Sequence, residues 1–448
     1  MDRLLILSDD PCLSTGLGRC VRELTQRLAS HYELAVAGWH HTPIRHAFPF
    51  HIYPLIKGDP EEGSQFHAIL NDFKPHQLLC IGDIWDFGHL TGPLSQYRAE
   101  HPLSTYLWVT PDGEWTHPIW EEVLRLFDRI CSFSAFGANE VQKLAKVTCS
   151  VVYPGVDMQV FRRPPRFNHQ ENVKGDLGSK FVIVTVAQNT TRKQLPISLE
   201  IYAKFCQGRP DSHFVLLTDP HDPVGHNLVN VAKWLGLLSS PDRKISFVRS
   251  KPRESIPDQK VSWTMLLGHC FLISSIGEGA CLPLFEAMAC GVVPIGTDYS
   301  AISEIIGDRG FRMKPATYMF GAYDVRRALP AIEEGVKHLT PLYDDWKSGG
   351  TLLAELSTKC IDFAQQHSWD NTAADLLAVM QQPIEAPSFV FFDTPKHHDV
   401  CMVIPSWGKA CGIAEYTRQL VGAVERTGSK VHIYPSADLH GLIRQREQ

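Results

Sequence analysis

No two of the twelve cysteines stand as CxxC, and the closest pairs, Cys12 with Cys20 and Cys281 with Cys290, lack metal-ligand spacing. That argues against a zinc ribbon or a disulfide framework and for reduced, mostly buried thiols. The histidine pairs His40-His41 and His397-His398 have no further ligands at regular spacing, so no metal site is expected there. Long hydrophobic runs are also missing: none approaches the ~18 residues of a membrane span. The start, MDRLLILSDDP, has no cationic region followed by a long apolar segment. No integral membrane segment is expected; the expected location is the cytoplasm, with peripheral attachment to a membrane left open. Positive charge is not in excess either. Forty-three basic against forty-nine acidic residues give a formal charge of -6, which excludes a generally basic nucleic-acid coat.

What is present is a folded composition. A hydrophobic share of 44% in 448 residues is enough for more than one core, so two domains and some extra chain are expected. Short apolar runs alternate with amphipathic stretches, the trace of βα units and parallel sheets. Strands are predicted at 3–7, 33–38, 77–82, 105–110, 129–133 and 150–154, with helices at 18–29 and 138–146. These make one doubly wound domain, residues 1–160.

Residues 161–180 are polar and rich in Pro and Gly, and they read as a linker. The rhythm then restarts, with strands at 181–187, 213–218, 244–248, 270–275 and 292–296 and a helix at 195–206. A second doubly wound domain thus covers 181–382, ending in a helix-rich tail from about 350 that closes with SWDNTAADLLAVMQQ. A further linker is expected at 383–400. From 401 to 448 the chain echoes its own start: an apolar strand, a small-residue loop, a glycine (Gly16 or Gly412), an amphipathic helix and another strand. This extension reads as a partial βαβ unit, the truncated opening of a second copy of the first domain.

The stretch EGACLPLFEAMACG, Glu278 to Gly291, carries the chemistry. Pro283 suits a helix's first turn and Gly291 its stop, so Glu278 falls in the loop leaving a strand and Glu286 in the first helical turns. In open α/β sheets ligands bind at that edge. The helix start offers unpaired N–H groups to an anion at Gly279 to Leu282, and the small Gly279 and Ala280 would let a ligand come close. A carboxylate on either side can accept hydrogen bonds from vicinal hydroxyls, of a sugar on one side and a ribose on the other. Two diol readers around one anion cradle describe a sugar nucleotide. A glycoside-hydrolysing acid and base pair also uses two carboxylates, but here the helix start is apolar and no second acidic cluster accompanies it.

This stretch resembles the E-x7-E signature of retaining GT-B glycosyltransferases of family 4. YPGVDMQVFRRP (153–164) resembles the family's G-V-D-x-x-x-F segment, DYSAISEIIGDRGFRMKP (298–315) the part after the signature, and SWDNTAADLLAVM (368–380) its closing helix. The resemblance covers roughly residues 1–382. It implies two Rossmann-like domains facing a cleft, Glu286 on the ribose hydroxyls, Glu278 on the donor sugar, and the diphosphate held by Arg192 and Lys193 of VAQNTTRKQ, with the Gly16-Leu17-Gly18 turn facing it. Where the family usually has glycine after Ala280, this chain has Cys281, whose side chain would crowd the sugar pocket and narrow donor choice.

The resemblance also implies front-face attack on a UDP-, GDP- or ADP-sugar donor, with a phosphate oxygen taking the acceptor's proton. Neither a protein nucleophile nor a metal or other cofactor is required. TPDGEWTHP (110–118) follows a strand of the first domain, so Asp112, Trp115 and His117 are candidates for acceptor or sugar contacts. Asp112-Gly-Glu114 also mimics a DxD metal motif, and a turn with solvated acids would use the same residues. Trp115 equally suits a core position. The catalytic candidates are therefore Asp112, His117 and Glu278. The acceptor, whether glycan, lipid, protein or nucleic acid, and the oligomeric state are not legible.

Two rival readings use similar patterns. A nicotinamide oxidoreductase would place its third fingerprint glycine at Val21, and the strand ELAVAGWH has no terminal acid for a ribose. A non-catalytic sugar-nucleotide sensor would keep the binding residues and lose turnover, with Cys281 as its best argument.

Overall fold

The computed structural model describes residues 1–41, 48–165, 167–173, 175–238, 244–248, 256–383, 400–404, 420–421 and 430–435. The first domain runs β1 (Asp2–Asp9), α1 (Gly16–Leu28), β2 (Tyr32–Trp39), β3 (His51–Leu55), α2 (Glu62–Phe73), β4 (Gln77–Gly82), α3 (Thr91–Glu100), β5 (Ser104–Val109), β6 (Glu114–Trp115), α4 (Ile119–Leu124), β7 (Arg129–Ser132), α5 (Ala135–Ala145) and β8 (Cys149–Val151). Seven of these strands form one parallel sheet in the order β3-β2-β1-β4-β5-β7-β8. The interior strand β1 is buried on both faces, as its unbroken apolar run requires under helices on each side. Thr15 begins α1 by accepting from Gly18 N through Oγ1 at 3.0 Å, and the face carrying Cys20, Val21, Leu24 and Leu28 packs inward.

The second domain runs α6 (His169–Asn172), β9 (Phe181–Val186), α7 (Leu195–Phe205), β10 (Ser212–Leu217), α8 (Leu228–Trp234), β11 (Ile245–Val248), α9 (Asp258–Leu266), β12 (Cys270–Ile273), α10 (Leu282–Ala289), β13 (Val293–Thr297), α11 (Ser300–Ile306), β14 (Phe311–Met313), β15 (Pro315–Phe320), β16 (Val325–Pro330), α12 (Ile332–Ser348), α13 (Leu352–Gln366) and α14 (Trp369–Met380). Its sheet is parallel in the order β11-β10-β9-β12-β13-β14. The order reverses between β9 and β12, the switch point where doubly wound sheets bind ligands.

Three features depart from the sequence reading. The expected linker at 161–180 carries helix α6 and a short 3-10 turn at Gly175–Ser179. The closing helix α14, read as part of the second domain, packs back on the first. Tyr106 donates to Met380 O at 2.9 Å, and Thr372 donates to Tyr153 O at 2.9 Å. The two motifs PGVD and SWDN meet there, for a Cβ on Gly155 would lie 2.3 Å from Trp369 N.

The third departure is an unforeseen sheet. Hairpin β15–β16 of the second domain pairs antiparallel with β6 of the first, Val325 opposite Trp115 and Arg326 opposite Glu114. A two-residue strand inside TPDGEWTHP has no legible alternation, so nothing local announces it. Residues 1–384 cluster as one compact unit and 385–448 as another. Within the latter, β17 (Val400–Ile404) and β18 (Val431–Pro435) pair in parallel, Val400 opposite Val431. Gly412 and most of the 383–400 segment lie outside the described residues.

Candidate functional site

The loops after β9 and β12 flank the switch point and are stitched together. Ile276 N donates to Arg192 O at 3.0 Å, and Ser274 Oγ donates to Gln194 O at 2.7 Å. This puts both basic residues of TRK beside Glu278. Arg192 Nη1 donates to Glu278 Oε2 at 2.7 Å and to Gly277 O at 2.6 Å, while Lys193 Nζ donates to Glu278 Oε1 at 2.5 Å. Burial alone would raise the Glu278 pKa. The charges of Arg192 and Lys193 outweigh it and hold the group down at about 2, so Glu278 is a carboxylate throughout the physiological range. Burial works against the charge on Arg192 too, but the carboxylates of Glu278 and Asp112 raise its pKa above the ordinary value.

The first domain's sheet edge faces these loops at backbone distance. A Cβ on Gly277 would lie 1.9 Å from Asp112 O, and one on Gly279 would lie 2.8 Å from Thr110 O. Thr110 thus gives Gly279 a packing reason to lack a side chain. Asp112 is buried and clamped by Arg327 of β16, whose Nη2 donates to both carboxylate oxygens at 2.8 and 3.1 Å. Arg192 Nε reaches the same carboxylate at 3.5 Å.

Behind them Thr110 Oγ1 donates to Asp83 Oδ1 at 2.5 Å. Burial, then the neighbouring charges of Asp112 and Asp86, push Asp83 up to about 7. Tyr299 OH closes the edge by accepting from Glu114 N at 3.0 Å and donating to Arg326 O at 2.6 Å.

Glu286, on α10 and nearly buried, is paired by Arg19 of α1. The same guanidinium donates through Nη2 to Asp258 Oδ1 at 2.6 Å. Gly16 reaches α10 as well, since a Cβ there would sit 3.7 Å from Leu282 Cδ1. Gly18 has a local reason: a Cβ would meet Asp10 O and Leu13 O, each at 2.8 Å. Cys281 stands just ahead of α10 with φ +63 and ψ 72, a left-handed backbone that explains why glycine suits this position. Burial pushes its thiol up to about 12.

The structure thus brings together Arg192, Lys193, Glu278 and Asp112 in one network, with Gly279 packed against Thr110 and with Gly16 near Leu282 at the head of the helix that carries Glu286. His117 stands apart: its Nδ1 accepts from Ile119 N at 3.2 Å at the start of α4, and its ring lies 6.0 Å from Trp120. Trp115 is a core residue of the first domain. Sequence reasoning missed Asp83, Arg327, Arg19 and Asp258. Arg19 follows the glycine turn directly and carried that much signal; the other three sit in no motif.

Residues 168–317 match the family model described as glycosyl transferases group 1. The chain is 27% identical over 117 residues to the O-antigen chain mannosyltransferase B of Escherichia coli, covering 26% of this chain and 26% of that protein. It is 25% identical over 126 residues to a phosphatidylinositol N-acetylglucosaminyltransferase component of Arabidopsis thaliana, covering 28% of this chain and 26% of that protein. The chain thus spans about a quarter of the length of the curated relatives it matches. Its fold resembles that of sucrose-phosphate synthase from Thermosynechococcus elongatus, with a TM-score of 0.66 at 14% identity over 85% of this chain and 99% of that one.

The fold is GT-B. Another GT-B neighbour, Anabaena HepE in complex with UDP and glucose, superposes with a TM-score of 0.61 at 12% identity, over 85% of this chain and 99% of that one. In this GT-B fold the Arg192–Lys193–Glu278 network lies at the switch point of the second sheet, against Asp112 of the loop after β5 in the first domain.

Proposed function

We propose that this protein is a retaining glycosyltransferase of the family 4 type that moves a sugar from a nucleoside diphosphate donor to an acceptor hydroxyl. The observation that carries the reading is the convergence of Arg192 and Lys193 on Glu278 at the switch point of the second sheet, directly before helix α10. Cations and unpaired helix-start N–H groups suit a diphosphate. A Glu278 that is ionised throughout the physiological range suits hydroxyls of the donor sugar. Glu286, one turn into α10, suits the ribose diol.

In this reading the bond between the anomeric carbon and the donor's phosphate oxygen breaks while the acceptor oxygen bonds to that carbon from the same face. The acceptor's proton passes to a phosphate oxygen, leaving a nucleoside diphosphate and a glycosylated acceptor. Arg192 and Lys193 stabilise the developing charge, which is the role a metal would otherwise take. UDP-, GDP- and ADP-sugars all fit the recognition chemistry, and the acceptor is a glycan, lipid, protein or nucleic acid hydroxyl. Asp112, held by Arg327, lines the acceptor side, and Cys281 narrows the sugar pocket.

The test is a panel of sugar nucleotides read by thermal shift, in which a ligand at a hundred times its dissociation constant adds about 2.7 kcal/mol. Nucleoside diphosphate release is then followed with candidate acceptors. Lys193→Ala and Glu278→Gln are expected to abolish release. No shift with any sugar nucleotide would overturn the reading, and binding without release for any acceptor would favour a non-catalytic sensor.

A further inference from the structure

Glu286 is 4% exposed, and the cation that neutralises it comes from the opposite domain. Arg19 lies in the first turn of α1, and Glu286 lies on α10, 267 residues later. The Arg19 guanidinium is shared: its second nitrogen binds Asp258 of α9 at 2.6 Å, and its Cζ sits 5.9 Å over the Phe161 ring. Arg22 approaches the other Asp258 oxygen at 3.9 Å. The two carboxylates are unequal, for the side chain of Asp258 is 34% exposed and that of Glu286 only 5%.

A carboxylate that reads a vicinal diol uses both oxygens as acceptors. One oxygen of Glu286 is already engaged by Arg19, so the ligand and the guanidinium compete for it. We infer that Arg19 is the residue displaced from Glu286 when a ribose binds: an internal competitor, supplied by the first domain, that sets nucleotide affinity. This rests on the proposed role of Glu286. Displacement leaves no charge stranded. The guanidinium keeps Asp258, a solvent-accessible carboxylate, while Glu286 exchanges an ion pair for two hydroxyl donors. Gly16 of the same helical turn stands near the head of α10, for a Cβ there would sit 3.7 Å from Leu282 Cδ1.

The sign of the effect separates a competitor from an ordinary binding residue. Removing Arg19 destabilises the unliganded protein, since Glu286 loses its partner in a buried site, but it leaves the liganded state little changed. Binding must therefore tighten. The experiment is calorimetric titration of the full chain with UDP, GDP and ADP, and with their 2′,3′-dideoxy counterparts. For whichever nucleotide binds, Arg19→Met is expected to tighten the ribonucleotide at least about five-fold, because the pair that is lost is largely buried, and to leave the dideoxy affinity unchanged.

Asp258→Asn is expected to act in the opposite direction, weakening the ribonucleotide, because Arg19 then keeps Glu286 as its carboxylate partner. If Arg19→Met proves too unstable to titrate, the Asp258→Asn result decides, and an unchanged or tightened affinity there overturns the inference. Weaker ribonucleotide binding in Arg19→Met would also overturn it, making Arg19 a direct ligand. Glu286→Ala serves as the control on the underlying reading. If it keeps wild-type nucleotide affinity, the assignment of Glu286 falls; if it loses binding while Arg19→Met does not gain, only the competitor role falls.

Discussion

Gly277 and Asp112 touch backbone to backbone, with room for no side chain between them: a Cβ on Gly277 would lie 1.9 Å from the Asp112 carbonyl oxygen. The contact joins the loop carrying Glu278 to the loop after β5 of the other domain. Gly277→Ala must push these loops apart and is expected to lower stability by about 1–3 kcal/mol, the usual range for an overpacked site. Thermal unfolding checks this, and an unchanged midpoint would show that the loops already separate in solution.

Arg327 and Asp112 form a buried, two-oxygen ion pair across the same joint. Arg327→Met leaves a buried carboxylate short of its main partner and is expected to cost roughly 3–5 kcal/mol in urea unfolding. The double variant Asp112→Asn with Arg327→Met removes the uncompensated charge and is expected to recover part of that loss. A double variant as unstable as the sum of the two single variants would show that the pair is not coupled.

Glu278 gives a pH signature. Its pKa falls from 4.5 to about 2 on folding, because Arg192 and Lys193 favour the charged form more than burial opposes it. A depressed carboxylate contributes stability that is complete above its unfolded pKa and is lost as pH falls through the folded value. Unfolding between pH 5 and pH 2 should therefore show a loss of roughly 3 kcal/mol from this group. Lys193→Met is expected to flatten that limb.

Asp83 behaves in the opposite sense. Burial and the charges of Asp112 and Asp86 raise it from 3.8 to about 7. Folding then holds the proton that the unfolded chain has released, so its contribution turns unfavourable as pH rises from about 4 through 7. Asp83→Asn is expected to raise the unfolding midpoint relative to the wild type at pH 8 and to leave the two equal at pH 4. Equal midpoints at both pH values would mean that Asp83 is ionised at little cost.

Cys281 is expected to be inert in the native protein. Its thiol is buried and pushed up to about 12, so iodoacetamide at pH 8 should leave it unmodified until the chain unfolds. Peptide mass analysis of labelled native and denatured samples checks this, and rapid native labelling would show that the α10 loop opens.

Much of the two sheets was legible because strands buried on both faces read as unbroken apolar runs, such as FVIVTV and CFLI. Strand β3 was not, since HIYPL is short and interrupted by Pro54, and its pairing is supplied by β2 alongside. Helix α5 starts at Ala135, three residues before the predicted position, because Ser134 caps it by accepting from Gly137 N. The hairpin β15–β16 escaped because its strands expose most of one partner and depend on β6, about 200 residues away, for their third strand.

The sequence by itself determined most of the parallel strands of the two sheets, the bounds of α10 through Pro283 and Gly291, and the supply of candidate groups at one sheet edge. Those are local properties of burial pattern, proline and glycine. Only the tertiary structure decided which charges neutralise which: Arg192 with Glu278, Arg327 with Asp112, and Arg19 with Glu286. Ion pairs between residues 86, 215 and 267 positions apart leave no periodic trace in the chain. Their partners are chosen by where two folded domains bring side chains together, and the strength of each pair by how much water that meeting excludes.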